Sequence, residues 1–148
     1  MFLRKVGGKI IKAKRYFKKE QQLQDYIETH WDKTFPRLEL LGREWRVTKQ
    51  NRSKVDFIAF DFDADGICTV EIKNILRPNR KDIQNGLWQA WYYMHMSKAV
   101  KGFLVGLWTC NQVIKVWPRK LHDCRNLWYV DLTYRLPEVV VYSGKAPA

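Results

Sequence analysis

The chain has 148 residues, 46% hydrophobic and 28% charged, the balance of a globular protein and not of a disordered or fibrous one. Lys and Arg number 27 against 15 Asp and Glu, a formal net charge of +12, which points to a polyanionic partner, nucleic acid before others. No apolar run reaches the roughly 20 residues that span a bilayer, and the three cysteines lack a C-x-x-C spacing, so no disulfide framework or four-cysteine metal site is supported.

A single domain is expected over residues 1–148, cytoplasmic by default, because the basic start lacks the apolar segment of a secretory signal. Residues 1–14 read as a basic arm or a short first strand, and Lys14, Arg15, Lys18 and Lys19 extend the cations that precede the first acid, Glu20. Tyr16, Glu20, Leu23, Ile27 and Trp31 recur at spacings of four, three, four and four, one face of a helix that Pro36 closes. Leu38 to Thr48 reads as a strand. The segment KVDFIAFDFDADGICTVEIKN, Lys54 to Asn74, places two runs of β-branched and aromatic residues around Asp63-Ala64-Asp65-Gly66, the pattern of a β-hairpin. Pro78 and Asn79 mark a loop, after which Ile83, Leu87, Ala90, Trp91 and Met94 fall at helical spacing. Gly102 to Trp108 reads as a buried strand and Val113 to Trp117 as another, with Asn126 to Leu132 and Glu138 to Tyr142 as further candidates. Helix, three strands, helix and more strands make an α/β sandwich with a mixed sheet.

The hairpin raises a chemical question. Its apolar strands contain Asp56, Glu71 and Lys73, and a charge desolvated without a partner is costly. Alternation along a strand sends Glu71 and Lys73 to one face and Cys68, Val70 and Ile72 to the other. Pairing across the turn brings Asp56 to the charged face, so the three groups compensate one another. A hard divalent cation relieves two adjacent carboxylates further. Asp61, Asp63 and Asp65 lack the twelve-residue spacing and terminal Glu of a calcium loop and read as turn chemistry. His122-x-Cys124 offers two ligands, short of the three or four that zinc requires.

Asp56 in a hydrophobic strand, followed fifteen residues later by Glu71-Ile72-Lys73 in the next, resembles the PD-(D/E)xK nuclease superfamily. The succession of a Glu-rich helix, GREW, KVDFIAFD, turn, CTVEIKN, basic loop and helix is similar to the catalytic domains of NucS-like endonucleases and archaeal Holliday-junction resolvases. It covers residues 16–108; the remainder matches nothing in that pattern. A lone E-x-K carries no weight, since chance supplies roughly half a match in such a chain; the strand, turn and strand around it carry the resemblance. Gln89 and Tyr93, four apart on one helical face, resemble the Q-x-x-x-Y of some exonuclease branches, and Arg43-Glu44 resembles the R-E of the NucS-like pattern. Val55 stands where the motif's name has Pro, and the four cysteines of iron–sulfur branches are missing, so no iron–sulfur cluster is expected.

The resemblance implies a restriction-endonuclease-like core, a mixed sheet flanked by helices in α-β-β-β-α-β order, and a Mg²⁺-dependent DNA endonuclease in which Mn²⁺ can substitute. Asp56, Glu71 and the Ile72 carbonyl would bind metal, with Glu20, or Glu28 off the stripe, completing the shell. Lys73 would orient or deprotonate the attacking water, and Gln89 and Tyr93 would hydrogen-bond near the site. Arg43, Arg77, Arg80 and Lys81, with Lys14, Arg15, Lys18 and Lys19, would grip phosphates, which supply affinity without sequence readout. Structured or abnormal DNA is the implied substrate, and cutting both strands calls for a homodimer with two sites. Plainer readings stand beside these. Asp56, Glu71 and Lys73 also make a cross-strand salt-bridge cluster, Glu20 a helix-dipole acid, and Gln89 and Tyr93 a polar edge and a core aromatic. Trp88, Trp91, Trp108, Trp117 and Trp128 fit a core or a dimer seam as well as base stacking. A catalytically silent nucleic-acid-binding or adaptor module on the same fold is the alternative function, and RNA cleavage is compatible with the same residues.

Overall fold

A computed structural model describes residues 2–5, 19–47, 53–75, 77–132 and 138–141. Strand β1 (Phe2–Lys5) precedes helix α1 (Glu20–Thr29). Lys19 caps α1 with an extended backbone, and the Gln22 side-chain oxygen accepts the Lys19 N–H at 3.2 Å. The helical face expected to continue to Trp31 breaks at His30 (φ −111°, ψ 30°). Trp31 instead opens a short helix α2 (Trp31–Thr34), and its indole N–H donates to the Leu38 carbonyl at 2.8 Å.

An antiparallel meander follows: β2 (Leu38–Arg46), β3 (Lys54–Asp61) and β4 (Gly66–Lys73). Thr48, the expected end of β2, lies outside the described residues. Asp61 organises the hairpin turn. Its Oδ1 accepts the Asp63 and Ala64 amides at 2.9 and 3.1 Å, while Oδ2 accepts from Lys101 Nζ at 2.7 Å. Burial alone would raise the Asp61 carboxyl, but Lys101 and the two amides carry it below its ordinary value.

Helix α3 (Arg80–Met96) starts from a capping box in which the Asn79 side chain accepts the Asp82 N–H and Asp82 accepts the Asn79 N–H. Beyond it lie β5 (Lys101–Gly106), α4 (Cys110–Lys115), β6 (Leu127–Asp131) and β7 (Glu138–Val141). The strand expected over Val113 to Trp117 is a correction: Val113 lies inside α4 and Trp117 follows it. The Thr109 hydroxyl accepts the Gln112 N–H at 3.2 Å, and this helix start overrides the β preference of Val, Ile and Trp.

The strands form one sheet in the order β1-β7-β6-β5-β4-β3-β2, with the β4–β5 and β5–β6 pairs parallel and the others antiparallel. Leu23, Ile27 and Trp31 pack on one face, against Phe57, Val70, Ile72 and Phe103. Ile83, Leu87 and Ala90 of α3 pack on the other, against Leu104, Trp108 and Tyr129. Among the described residues no helix is long and apolar enough to cross a membrane.

Candidate active site

Alternation in β4 is as the sequence requires: Cys68, Val70 and Ile72 join the core beneath α1. Glu71 pairs with Leu104 of β5, which belongs to the core beneath α3. The β3–β4 ladder runs from Asp61↔Gly66 to Phe57↔Val70 and stops. One residue further, the Asp56 side chain takes over: its Oδ2 accepts the Ile72 N–H at 2.6 Å. Its Oδ1 accepts from Gln24 Nε2 of α1 at 3.0 Å.

Gln24 is a residue that sequence reasoning missed. It is buried, and its own Oε1 accepts from Arg43 Nη2 at 3.0 Å. Arg43 also reaches Asp25 at 2.6 Å and Glu28 at 2.8 Å, with its guanidinium 5.8 Å from the Phe57 ring centroid. Arg43, expected on phosphates, is thereby tied to α1, and Glu28 is tied to Arg43. The signal for Gln24 was present: it stands four residues after Glu20, and such residues neighbour each other on a helix.

Glu71 is 5% exposed. Burial pushes its carboxyl well above the ordinary range; a hydrogen bond with Asp56 and the Asp56 charge add to this, and Lys73 opposes it. Its Oε2 is buried with no hydrogen-bond partner among the described residues. Glu20, at the exposed start of α1, is raised first by desolvation and then by Asp56, while Lys73 and the Asn74 backbone pull it down. Tyr93 is raised by burial, with the Glu71 and Asp56 charges acting the same way, and its hydroxyl accepts from Gln89 Nε2 at 3.0 Å. The structure therefore gathers Asp56, Glu71, Ile72, Lys73, Glu20, Gln89 and Tyr93. Arg77, Arg80 and Lys81 are exposed between β4 and the first turn of α3, and Lys19 is exposed at the cap of α1. Lys14, Arg15 and Lys18 lie outside the described residues.

Two carboxyl groups in contact, one with an orphaned buried oxygen, form an unbalanced arrangement that either a shared proton or a hard cation completes. Among the described residues no group of three or more His, Cys, Asp or Glu side chains is placed to hold a metal ion. The donor set fits an ion held by Asp56, Glu71 and the Ile72 carbonyl with water filling the remainder, since Mg²⁺ commonly uses one or two carboxylates and keeps several waters.

A mixed sheet of this order between helices is a restriction-endonuclease-like fold. Among solved structures the chain is similar to a repair endonuclease from Pyrococcus abyssi, at TM-score 0.51 and 18% identity over 79% of this chain and 48% of that one. It is also similar to an EndoMS–dsDNA complex, at TM-score 0.50 and 17% identity over 85% of this chain and 46% of that one. The chain spans about half the length of both, and at these identities the likeness is one of fold. No family model matches the chain, and no curated protein does.

Proposed function

We propose that the protein is a metal-dependent nuclease that hydrolyses phosphodiester bonds in DNA, with structured or abnormal DNA as its substrate. The observation that carries this reading is the Asp56–Glu71 pair with its unpartnered Oε2 beside Lys73. A fold shared with a repair endonuclease and with a protein solved on double-stranded DNA supports it. A bound Mg²⁺ or Mn²⁺ would lower the pKa of a bound water and neutralise charge on the phosphate. The chain's own residues do the rest. Asp56 is fixed from two sides by Gln24 and the Ile72 amide, so its carboxylate needs no reorganisation as charge develops. Lys73 donates to the attacking water or to the developing oxyanion. Arg77, Arg80 and Lys81 hold the backbone of the substrate next to the site. Cutting both strands would engage two copies of the chain.

The test is cleavage of labelled single-stranded, duplex, splayed-arm and four-way-junction DNA with Mg²⁺, Mn²⁺ or EDTA. Metal-dependent cutting is expected, reduced by about 10²–10³-fold in Lys73→Ala and Glu71→Ala. Tight binding without cutting under any metal would make the chain a DNA-binding module and the three charged residues a structural cluster.

A further inference from the structure

At the far end of α3 an open groove of about 770 Å³ lies between the helix and the loop that leads into β6. Ala99 and Asn126, which line it, flank the first residues of β5 and β6. Lys73 pairs with Gly106 at the other end of β5, so the groove and the candidate active site are separated by about 17 Å of strand.

Trp91 lines the groove, with the His95 ring packed beside it, the ring centroids 4.3 Å apart and the planes tilted by 52°. Lys98, Lys120 and Arg125 surround them, against Asp123 as the opposing carboxylate. Among the described residues none of the three cations is in an ion pair. Lys98 is unusual. The Ala99 N–H returns to the Met94 carbonyl at 2.9 Å and the Lys98 N–H to that of His95 at 3.1 Å, the hydrogen bonds of a Schellman helix end. Such an end needs a left-handed residue, normally glycine, and Lys98 adopts φ 52°. An L side chain occupies that region only with strain. Complementing the helix dipole explains one cation at this end, not three around an aromatic pair.

We infer that this groove is a second nucleic-acid contact, a seat for an unpaired strand whose phosphates lie on Lys98, Lys120 and Arg125 and whose bases stack on Trp91 and His95. Aromatic faces set among unpaired cations are what sequence-tolerant single-strand binding requires. A duplex keeps its base faces inside its own stack and offers nothing to Trp91. The volume falls within the roughly 300–1,000 Å³ of ordinary ligand sites and far exceeds a lone phosphate. Binding here needs neither Asp56 nor Glu71, so the inference stands apart from the cleavage reading.

Fluorescence anisotropy with a labelled twelve-nucleotide strand and with a blunt duplex, both in EDTA, tests it. The wild type should prefer the strand. Lys98→Glu/Lys120→Glu/Arg125→Glu should bind the strand at least tenfold more weakly, with the salt slope shallower by about 2, near 0.7 for each phosphate no longer neutralised. Lys98→Gly, which relieves the backbone, should hold or raise the melting temperature while weakening strand binding. In the wild type, photo-cross-links from a bromouracil strand should map to Trp91 or His95. A triple variant with Kd within twofold of wild type, or cross-links confined to other residues, would overturn the inference. Cleavage assayed on the same proteins with Mg²⁺ keeps the two readings separable, because lost strand binding with intact cutting of duplex touches only the groove.

Discussion

Glu71 works against the fold that holds it. Its carboxyl is raised in the folded protein by burial and by Asp56, so above the ordinary carboxylate pKa the native state holds a proton that the unfolded chain has released. Stability from this group is therefore complete at acidic pH and falls as pH rises towards the raised value. Glu71→Gln keeps the shape and removes the titration. In EDTA at pH 8 it should be more stable than wild type by about 1–3 kcal/mol, with the gap closing towards pH 4, while cutting is lost. Urea unfolding at pH 4, 6 and 8 measures this, and equal stability at pH 8 would mean that the carboxyl is not buried as described. The same residues mark what a sequence reveals. Asp56, Glu71 and Lys73 stood out because charge in an apolar strand is anomalous, whereas Gln24, a neutral amide beside Leu23, is marked only by its helical spacing from Glu20 until a fold brings it to Asp56. Arg43 reads as a phosphate-gripping cation and as the Arg of an R-E pair; its attachment to Asp25 and Glu28 joins β2 to α1, which no local pattern encodes.

Among the elements, α3 carries Gln89 and Tyr93 to the site, and its distance from the sheet is set at Gly102. A Cβ there would meet Met94 Cβ at 2.9 Å and the Ala90 carbonyl oxygen at 3.3 Å. Neither is the loose end of a side chain, so helix and strand must separate. Gly102→Ala should cost about 1–3 kcal/mol, and it should lower cutting even at temperatures where the variant is fully folded, because Tyr93 moves away from Glu71. Thermal melts paired with cleavage rates check both; full activity in a destabilised variant would remove α3 from the working parts of the site. Elements with strong periodicity were legible: the hairpin by alternation around its turn, and α3 by its apolar stripe. Val113 to Trp117 was not, because five residues of Val, Ile, Lys, Val and Trp suit a strand by preference, while the Thr109–Gln112 cap and burial of Val113 in the core on the α3 side of the sheet decide for helix. His30 likewise interrupts a stripe that periodicity alone would continue.

At the scale of the molecule, the sheet places β1 beside β7, Phe2 opposite Val141, a pairing too distant in sequence for any window to detect. The net charge of +12 is legible at once and acts on the whole chain, since self-repulsion destabilises a compact state. That fact governs how a metal site must be sought. Any salt screens the repulsion, so Mg²⁺ will stabilise the protein to some extent without binding anywhere. Specific binding adds a second contribution that follows mass action, about 2.7 kcal/mol at a hundredfold excess over Kd. The wild type should therefore melt higher in Mg²⁺ than in NaCl of matched ionic strength, while Asp56→Asn/Glu71→Gln should melt alike in both. The double variant isolates the site because it removes both carboxyl groups and leaves the basic surface untouched. Identical shifts in the two salts for wild type would mean that the carboxylate pair is completed by a proton alone.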